Sequence, residues 1–135
     1  AVMGKEQALA EIHRIVEIHS LKMKKAVSKA AGFAGMYKRI PKIFLKVTQK
    51  TFGHDAGFDY KIYDTDKNTA RLDMIKCPYH IMTVRYGCPE LCVCFCDSDD
   101  IAYGDIHPKL KWHRSKTLGR GNDCCDFSLS YIKNE

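Results

Sequence analysis

Two Cys-Pro steps, Cys77-Pro78 and Cys88-Pro89, constrain this chain more than any other feature. Proline is tolerated in the first turn of a helix, where its missing N–H would have no partner anyway, and it breaks a helix further in. The steps lie within CPYHIMTVRYGCPELCVCFC, residues 77–96, which holds five of the seven cysteines. The punctuation predicts a short helix over 78–86, a break at Gly87 and a second helix over 89–103. Glu90 in the second first turn complements the helix dipole. Cys77 and Cys88 then fall at or near helix N-caps, where the positive helix end lowers a thiol pKa. On the second helix Cys92, Cys96 and Asp99 follow at i, i+4 and i+7 on one face, with Tyr103 after them, while Cys94 points elsewhere. Were 91–96 a strand, Cys92, Cys94 and Cys96 would share a face instead; the Pro-Glu start favours the helix.

The flanking segments supply a frame for this stretch. Apolar positions Leu9, Ile12, Val16, His19, Met23, Val27 and Ala30 recur at steps of three or four, with Ile15 and Ala26 widening the stripe, so residues 5–31 read as an amphipathic helix. Helix-surface positions account for His13 and His19. A second helix is expected over 36–51 with Ile40, Ile43, Phe44 and Val47 inward, started late or kinked by Pro41. TFGHDAGFD reads as a loop carrying His54. Residues 60–64, a turn at Asp66-Lys67-Asn68 and the alternating run Thr69 to Lys76 make one hairpin. Leu110 to Leu118, the turn Gly119-Arg120-Gly121-Asn122-Asp123 and the strand bearing Cys125, Phe127, Leu129 and Tyr131 make another. The expected fold class is therefore α+β: N-terminal helices, then an antiparallel sheet of about four strands in two hairpins, with one or two helices between the hairpins. A single domain, 1–135, is expected, with 1–52 helical and basic and 53–135 the cysteine-rich α+β part.

Charge divides at the same place. Residues 1–50 hold eleven Lys/Arg against three Asp/Glu, a net of +8, and the remainder carries −2. The lysines interleave with apolar residues at helical spacing, and no stacking platform or reading motif accompanies them, so a solvated helix face fits better than nucleic-acid binding. An acidic partner or a homo-oligomer through the N-terminal helices is the remaining use for this half. No apolar run reaches membrane-spanning length. The opening AVMGKEQALAEIHR is charged rather than leader-like, and the odd, clustered cysteines suit a secreted disulfide framework poorly. A cytoplasmic protein with reduced thiols is expected.

Three chemistries fit such a cysteine set. A thiolate could attack an electrophilic carbon while a carboxylate relays protons and backbone amides or Arg114 stabilise developing charge. Cys92, Cys96, Cys125 or Cys77 with His80 or Asp99 could hold Zn or Fe, although the spacing is not a C-x2-C knuckle. Taken singly, each cysteine is equally a small buried hydrophobe. A non-catalytic metal- or small-molecule-binding domain, a sensor or carrier, is the alternative function.

The order Cys77-Pro78-Tyr79, Gly87-x-Pro89-Glu90-Leu91, Phe95-Cys96-x-x-Asp99 and Arg114-x-x-Thr117-Leu118-x-x-Gly121-x-x-x-Cys125-Asp126-Phe127 resembles the L-2-amino-thiazoline-4-carboxylic acid hydrolase family over residues 77–127. The N-terminal helices fit it only loosely. The resemblance implies a hydrolase on a non-peptide C–N bond, opening a cyclic amidine or thiazoline ring by thiol-dependent addition of water to give a carbamoyl product such as N-carbamoyl-cysteine, with a small-molecule substrate and no required cofactor. On that basis Cys77 or Cys96 is the nucleophile, Asp99 or Asp126 the proton relay and Cys125 a further member of the site. Glu90, Arg114 and Tyr79 contact substrate, Arg114 through a bidentate grip on a carboxylate. The metal alternative falls on Cys92, Cys96, Cys125 and His80.

Overall fold

The computed structural model describes residues 2–133. Four α-helices and four strands form an α+β domain: α1 (Lys5–Gly32), α2 (Ile40–Thr51), β1 (Asp59–Ile62), β2 (Thr69–Lys76), α3 (Pro78–Arg85), α4 (Glu90–Tyr103), β3 (Leu110–Arg114) and β4 (Cys125–Tyr131). The strands pair antiparallel in the order β1-β2-β4-β3. Each expected hairpin is present, and the two join through β2 and β4, with Leu72 opposite Phe127 and Met74 opposite Cys125.

Alternation along the inner strands assigns the two sheet faces. Ala70, Leu72 and Met74 on β2 and Cys125, Phe127 and Leu129 on β4 are buried toward the helices. Arg71, Asp73, Asp126 and Ser128 occupy the other face, with the register pairing Asp73 opposite Asp126. The core gathers Phe58, Leu72, Met74, Leu118, Cys125 and Phe127, flanked by Phe44, Trp112 and Cys77. Phe44 of α2 meets Trp112 and Phe127 edge-on at 5.8 and 6.4 Å, which seats α2 on the sheet.

Two helix faces differ from the spacing-based expectation. On α1 the buried positions are Ser20 and Ala31, whereas His19 and Ala30 are exposed and Met23, Ile15, Ile18 and Leu21 keep at least 40% of their surface exposed. A serine can replace histidine in the stripe because the Ser20 hydroxyl donates to the Val16 carbonyl at 2.8 Å, leaving no unpaired polar atom. On α2 the inward residues are Ile40, Pro41, Phe44 and Thr48, while Ile43 and Val47 face solvent. That helix starts after a short 3-10 turn, Met36–Lys38, with Pro41 inside its first turn.

The Cys-Pro reading holds. α3 begins at Pro78 with Cys77 as its N-cap, Gly87 adopts φ +70 between the helices, and α4 starts at Glu90. Cys88 falls one residue before the Pro89 cap. α1 packs along α4, and Lys5 forms an ion pair with Glu90 where the two helices begin. No helix among the described residues is long and apolar enough to cross a membrane.

Candidate functional site

α4 carries Cys92 and Cys96 on the face turned toward the segment joining β3 to β4. Four residues of helix bring their sulfurs to 3.9 Å. Cys125, the first residue of β4, joins them from below, its sulfur accepting the Leu118 N–H at 3.2 Å. Cys92 is 1% exposed and Cys125 is buried; Cys96 is partly accessible. All seven cysteines are free.

The connecting segment closes over these sulfurs as a short 3-10 turn, Leu118–Arg120. Asn122 accepts the Thr117 N–H at 3.0 Å and returns its own N–H to the Thr117 carbonyl, and Gly121 ends the turn at φ +88, a left-handed conformation that suits glycine. Gly119 is a glycine for a different reason. A Cβ there would stand 2.9 Å from the Cys96 sulfur and 3.2 Å from that of Cys92, closer than side-chain packing allows. The Thr117 hydroxyl accepts the Arg120 N–H at 3.1 Å, which leaves its own hydrogen to point at Cys96.

These neighbours decide which sulfur ionises. The Cys96 thiol is lowered to about 2: the Cys125 and Cys92 S–H groups donate to it, burial opposes, and the Thr117 hydroxyl and the Arg114 charge add support. Donation to Cys96 is also the first cause that pushes the Cys92 and Cys125 thiols upward, with burial second. These shifts favour ionisation at Cys96 over Cys92 and Cys125. Cys77, at the rim of the core, shifts the other way from its N-cap expectation. Burial raises it, outweighing the Tyr79 and His80 amides that favour its thiolate.

One turn beyond Cys96, Asp99 lies 3.8 Å from Arg114. Burial pushes its carboxyl up to about 7 against the pull of Arg114, with the Cys96 charge adding to the rise. Because 42% of its side chain is still exposed, solvent screens part of that burial effect. Asp99 is therefore within reach of water. The Arg114 side chain is 2% exposed, and its guanidinium is bound to Asp100 at 2.5 Å, while Trp112 donates its indole N–H to the other Asp100 oxygen at 2.8 Å. Tyr103 closes the helix face, its hydroxyl pushed up to about 12 by burial and by Asp99.

Several expected site residues stand elsewhere. Asp126 faces away from Cys125 across the plane of β4, where it accepts from the Ser115 N–H (2.9 Å), the Ser115 hydroxyl (2.5 Å) and the Lys116 N–H. It anchors the segment that roofs the thiols and does not reach them. Arg114 is not free for a substrate carboxylate, being held by carboxylates of its own chain. Glu90 is engaged by Lys5. Tyr79 stacks on Phe95 at 5.3 Å with half its side chain exposed. His80 presents its backbone amide, rather than its ring, to Cys77. Among the described residues no three or more His, Cys, Asp or Glu are arranged to hold a metal ion. Cys94 is buried away from the cluster, as the helical spacing predicted, and Cys124 lies near Asp73, Asp123 and Asp126.

Gly119 and Arg120 read from the sequence only as turn residues, and Thr117 only as part of the family motif, yet all three border the thiols. A Thr-Leu-Gly run three residues after Arg114 was the available signal, since a glycine without positive φ implies close approach of something else. Arg120 pairs with Asp97 at 2.6 Å and is close enough to Cys96 to feel its charge.

The fold and this site define an α+β domain in which three thiols gather beneath the turn at residues 117–121. The chain belongs to the L-2-amino-thiazoline-4-carboxylic acid hydrolase family, whose profile matches residues 1–129. The family match thus includes the N-terminal helices, beyond the 77–127 span that carries the motifs, in keeping with the packing of α1 on α4. No curated protein matches the sequence. Among solved structures, trafficking protein particle complex subunit 3 from Naegleria fowleri, covalently bound to palmitic acid, is similar at 9% identity, with 96% of this chain and 84% of that chain covered and a TM-score of 0.40.

Proposed function

We propose that this protein is a thiol-dependent hydrolase that opens a cyclic amidine of the 2-amino-thiazoline class, with Cys96 as nucleophile. The observation that carries the reading is a cluster of three thiols, with the Cys92 and Cys96 sulfurs 3.9 Å apart, in which Cys96 is the partly accessible member. A nucleophile needs both ionisation and access, and Cys96 combines them.

The chemistry follows from the groups at hand. The Cys96 thiolate adds to the amidine carbon, and the tetrahedral adduct collapses with cleavage of the ring carbon–sulfur bond. Asp99, neutral in part near pH 7, protonates the departing sulfur. The carboxylate so formed takes a proton from water as water adds to the isothiourea carbon, and Cys96 leaves as a thiolate. The sum is substrate plus water giving a carbamoyl thiol. A 2-amino-thiazoline that yields N-carbamoyl-cysteine keeps its C–N bonds, so the ring bond broken in that substrate is C–S rather than the C–N bond first expected. Cys92 and Cys125 lend hydrogen bonds to Cys96 in its charged form, and Arg114 orients Asp99 through charge.

A screen of thiazolines, cyclic amidines and hydantoins, run with and without chelator, tests the proposal together with Cys→Ser variants at 77, 96 and 125. Ring opening that is lost with Cys96 and unaffected by chelator supports it. Full activity in all three variants would sink it, and stoichiometric Zn or Fe lost on the same changes would favour the metal-binding alternative.

A further inference from the structure

Far along the sheet from the thiols, a second concavity of about 580 Å³ opens between the start of α2, the β1–β2 turn and the end of β4. Five cations line it, Lys38, Arg39, Lys42, Lys67 and Lys133, with Asn68 and Tyr131 between them. We infer that this pocket binds a ligand bearing several phosphate groups, independently of the thiol chemistry.

Three segments that are remote in sequence deliver these charges to one place, which distinguishes the pocket from the lysines spaced along α1. Among the described residues none of the five has a carboxylate within 4 Å. Asp66 feels Lys133 but is occupied in accepting the Asn68 N–H at 2.9 Å, which shapes the turn. Like charges crowded around a concave surface repel one another and focus a positive potential into the hollow. The start of α2 adds the positive end of a helix dipole to the same space.

The lining also specifies the ligand. Small-molecule pockets of this size are ordinarily apolar with a few polar groups; here the proportions are inverted. A single carboxylate, as on an amino-thiazoline acid, would neutralise one of five cations, whereas a di- or triphosphate matches them. The volume suits a nucleotide or an inositol phosphate head group, not the face of a protein. The pocket's one aromatic lining residue, Tyr131, is backed by others: it meets Tyr37 at 5.4 Å, and Tyr37 stacks on His107 at 4.5 Å.

Titration calorimetry of the full chain with sodium tripolyphosphate at low ionic strength tests the site. The expected result is saturable one-site binding that K38E/K42E weakens by about tenfold or more, while K22E/K25E on the exposed surface of α1 changes it by about twofold or less. Circular-dichroism melts confirm that each variant is folded. Absence of saturable binding, or equal loss in both pairs, overturns the inference. A second arm uses phosphatidylcholine vesicles doped with phosphatidylinositol bisphosphate. Association that tripolyphosphate displaces and K38E/K42E abolishes assigns a lipid head group, and tripolyphosphate binding without vesicle association assigns a soluble ligand. Vesicle association that survives K38E/K42E counts against the pocket.

Discussion

Cys77 and Cys96 come from the same cysteine-dense stretch, yet their thiols shift in opposite directions. Cys77 has the position usually credited with making a reactive thiol, the N-cap of a helix, and its pKa rises. Cys96 sits mid-helix, without a helix end nearby, and its pKa falls to about 2. The difference lies in what touches the sulfur. A helix end contributes about 0.3–1 kcal/mol to a neighbouring charge, and partial burial cancels that. Cys96 receives S–H and hydroxyl donors directed at the sulfur itself, with a buried guanidinium behind them. Direct donors outweigh the dipole.

The largest expected effect that could break this contrast is on catalysis. Cys96→Ser should reduce kcat/KM on an amino-thiazoline by about a thousandfold or more, with Cys77→Ser within about threefold of the parent. Iodoacetamide labelling read by mass spectrometry sharpens the contrast without a substrate: near pH 5, well below the range in which ordinary thiols react, Cys96 should be modified before Cys77.

Next in size is Arg114→Met, which leaves Asp100 and Asp99 without their buried cation. It should cost about 3 kcal/mol in urea unfolding, the low end for a buried pair because both carboxylates are partly exposed. It should also slow labelling of Cys96.

The pH dependence follows from Asp99. As a proton donor it requires its neutral form, so kcat/KM should fall as pH rises through about 7, and Asp99→Asn should remove that limb. Stability moves in the same sense. The folded carboxyl holds its proton above the unfolded value of 3.8, so its contribution is complete below that value and is lost as pH rises through about 7. Melting temperature in Asp99→Asn should be flatter across this window.

The smallest effect tests the roof. Gly119→Ala forces a methyl against two sulfurs and should cost about 1–2 kcal/mol in stability. By prising the turn from Cys96 it should also raise the pH at which labelling begins. Unchanged labelling would show that Thr117 and its turn do not hold the thiolate.

Much of this architecture was legible because its signals are local. Proline and glycine marked both ends of α3 and the start of α4, and period-two alternation located the inward residues of β2 and β4. The helix faces of α1 and α2 were less legible, since which stripe is buried depends on partners. Ser20 enters the interior through a bond to its own helix, a solution that hydrophobic spacing does not count. The site was half visible for the same reason. Cys92, Cys96 and Asp99 share a face by helical geometry, but the arrival of Cys125 and the Thr117–Gly121 turn depends on how the second hairpin docks. Asp126 and Cys125 are neighbours in the family motif but face opposite ways on β4, an orientation the motif does not record.

The sheet order carries a consequence for assembly. β1–β2 and β3–β4 are each local pairings that close early, but β2 and β4 meet only across the sequence that contains α3 and α4. Cys96 belongs to that intervening sequence and Cys125 to the second hairpin. The low-pKa thiolate therefore exists only after the two halves have joined, and until then Cys96 is an ordinary thiol. Pulsed alkylation during refolding would time that last step with the reactive group itself as the clock.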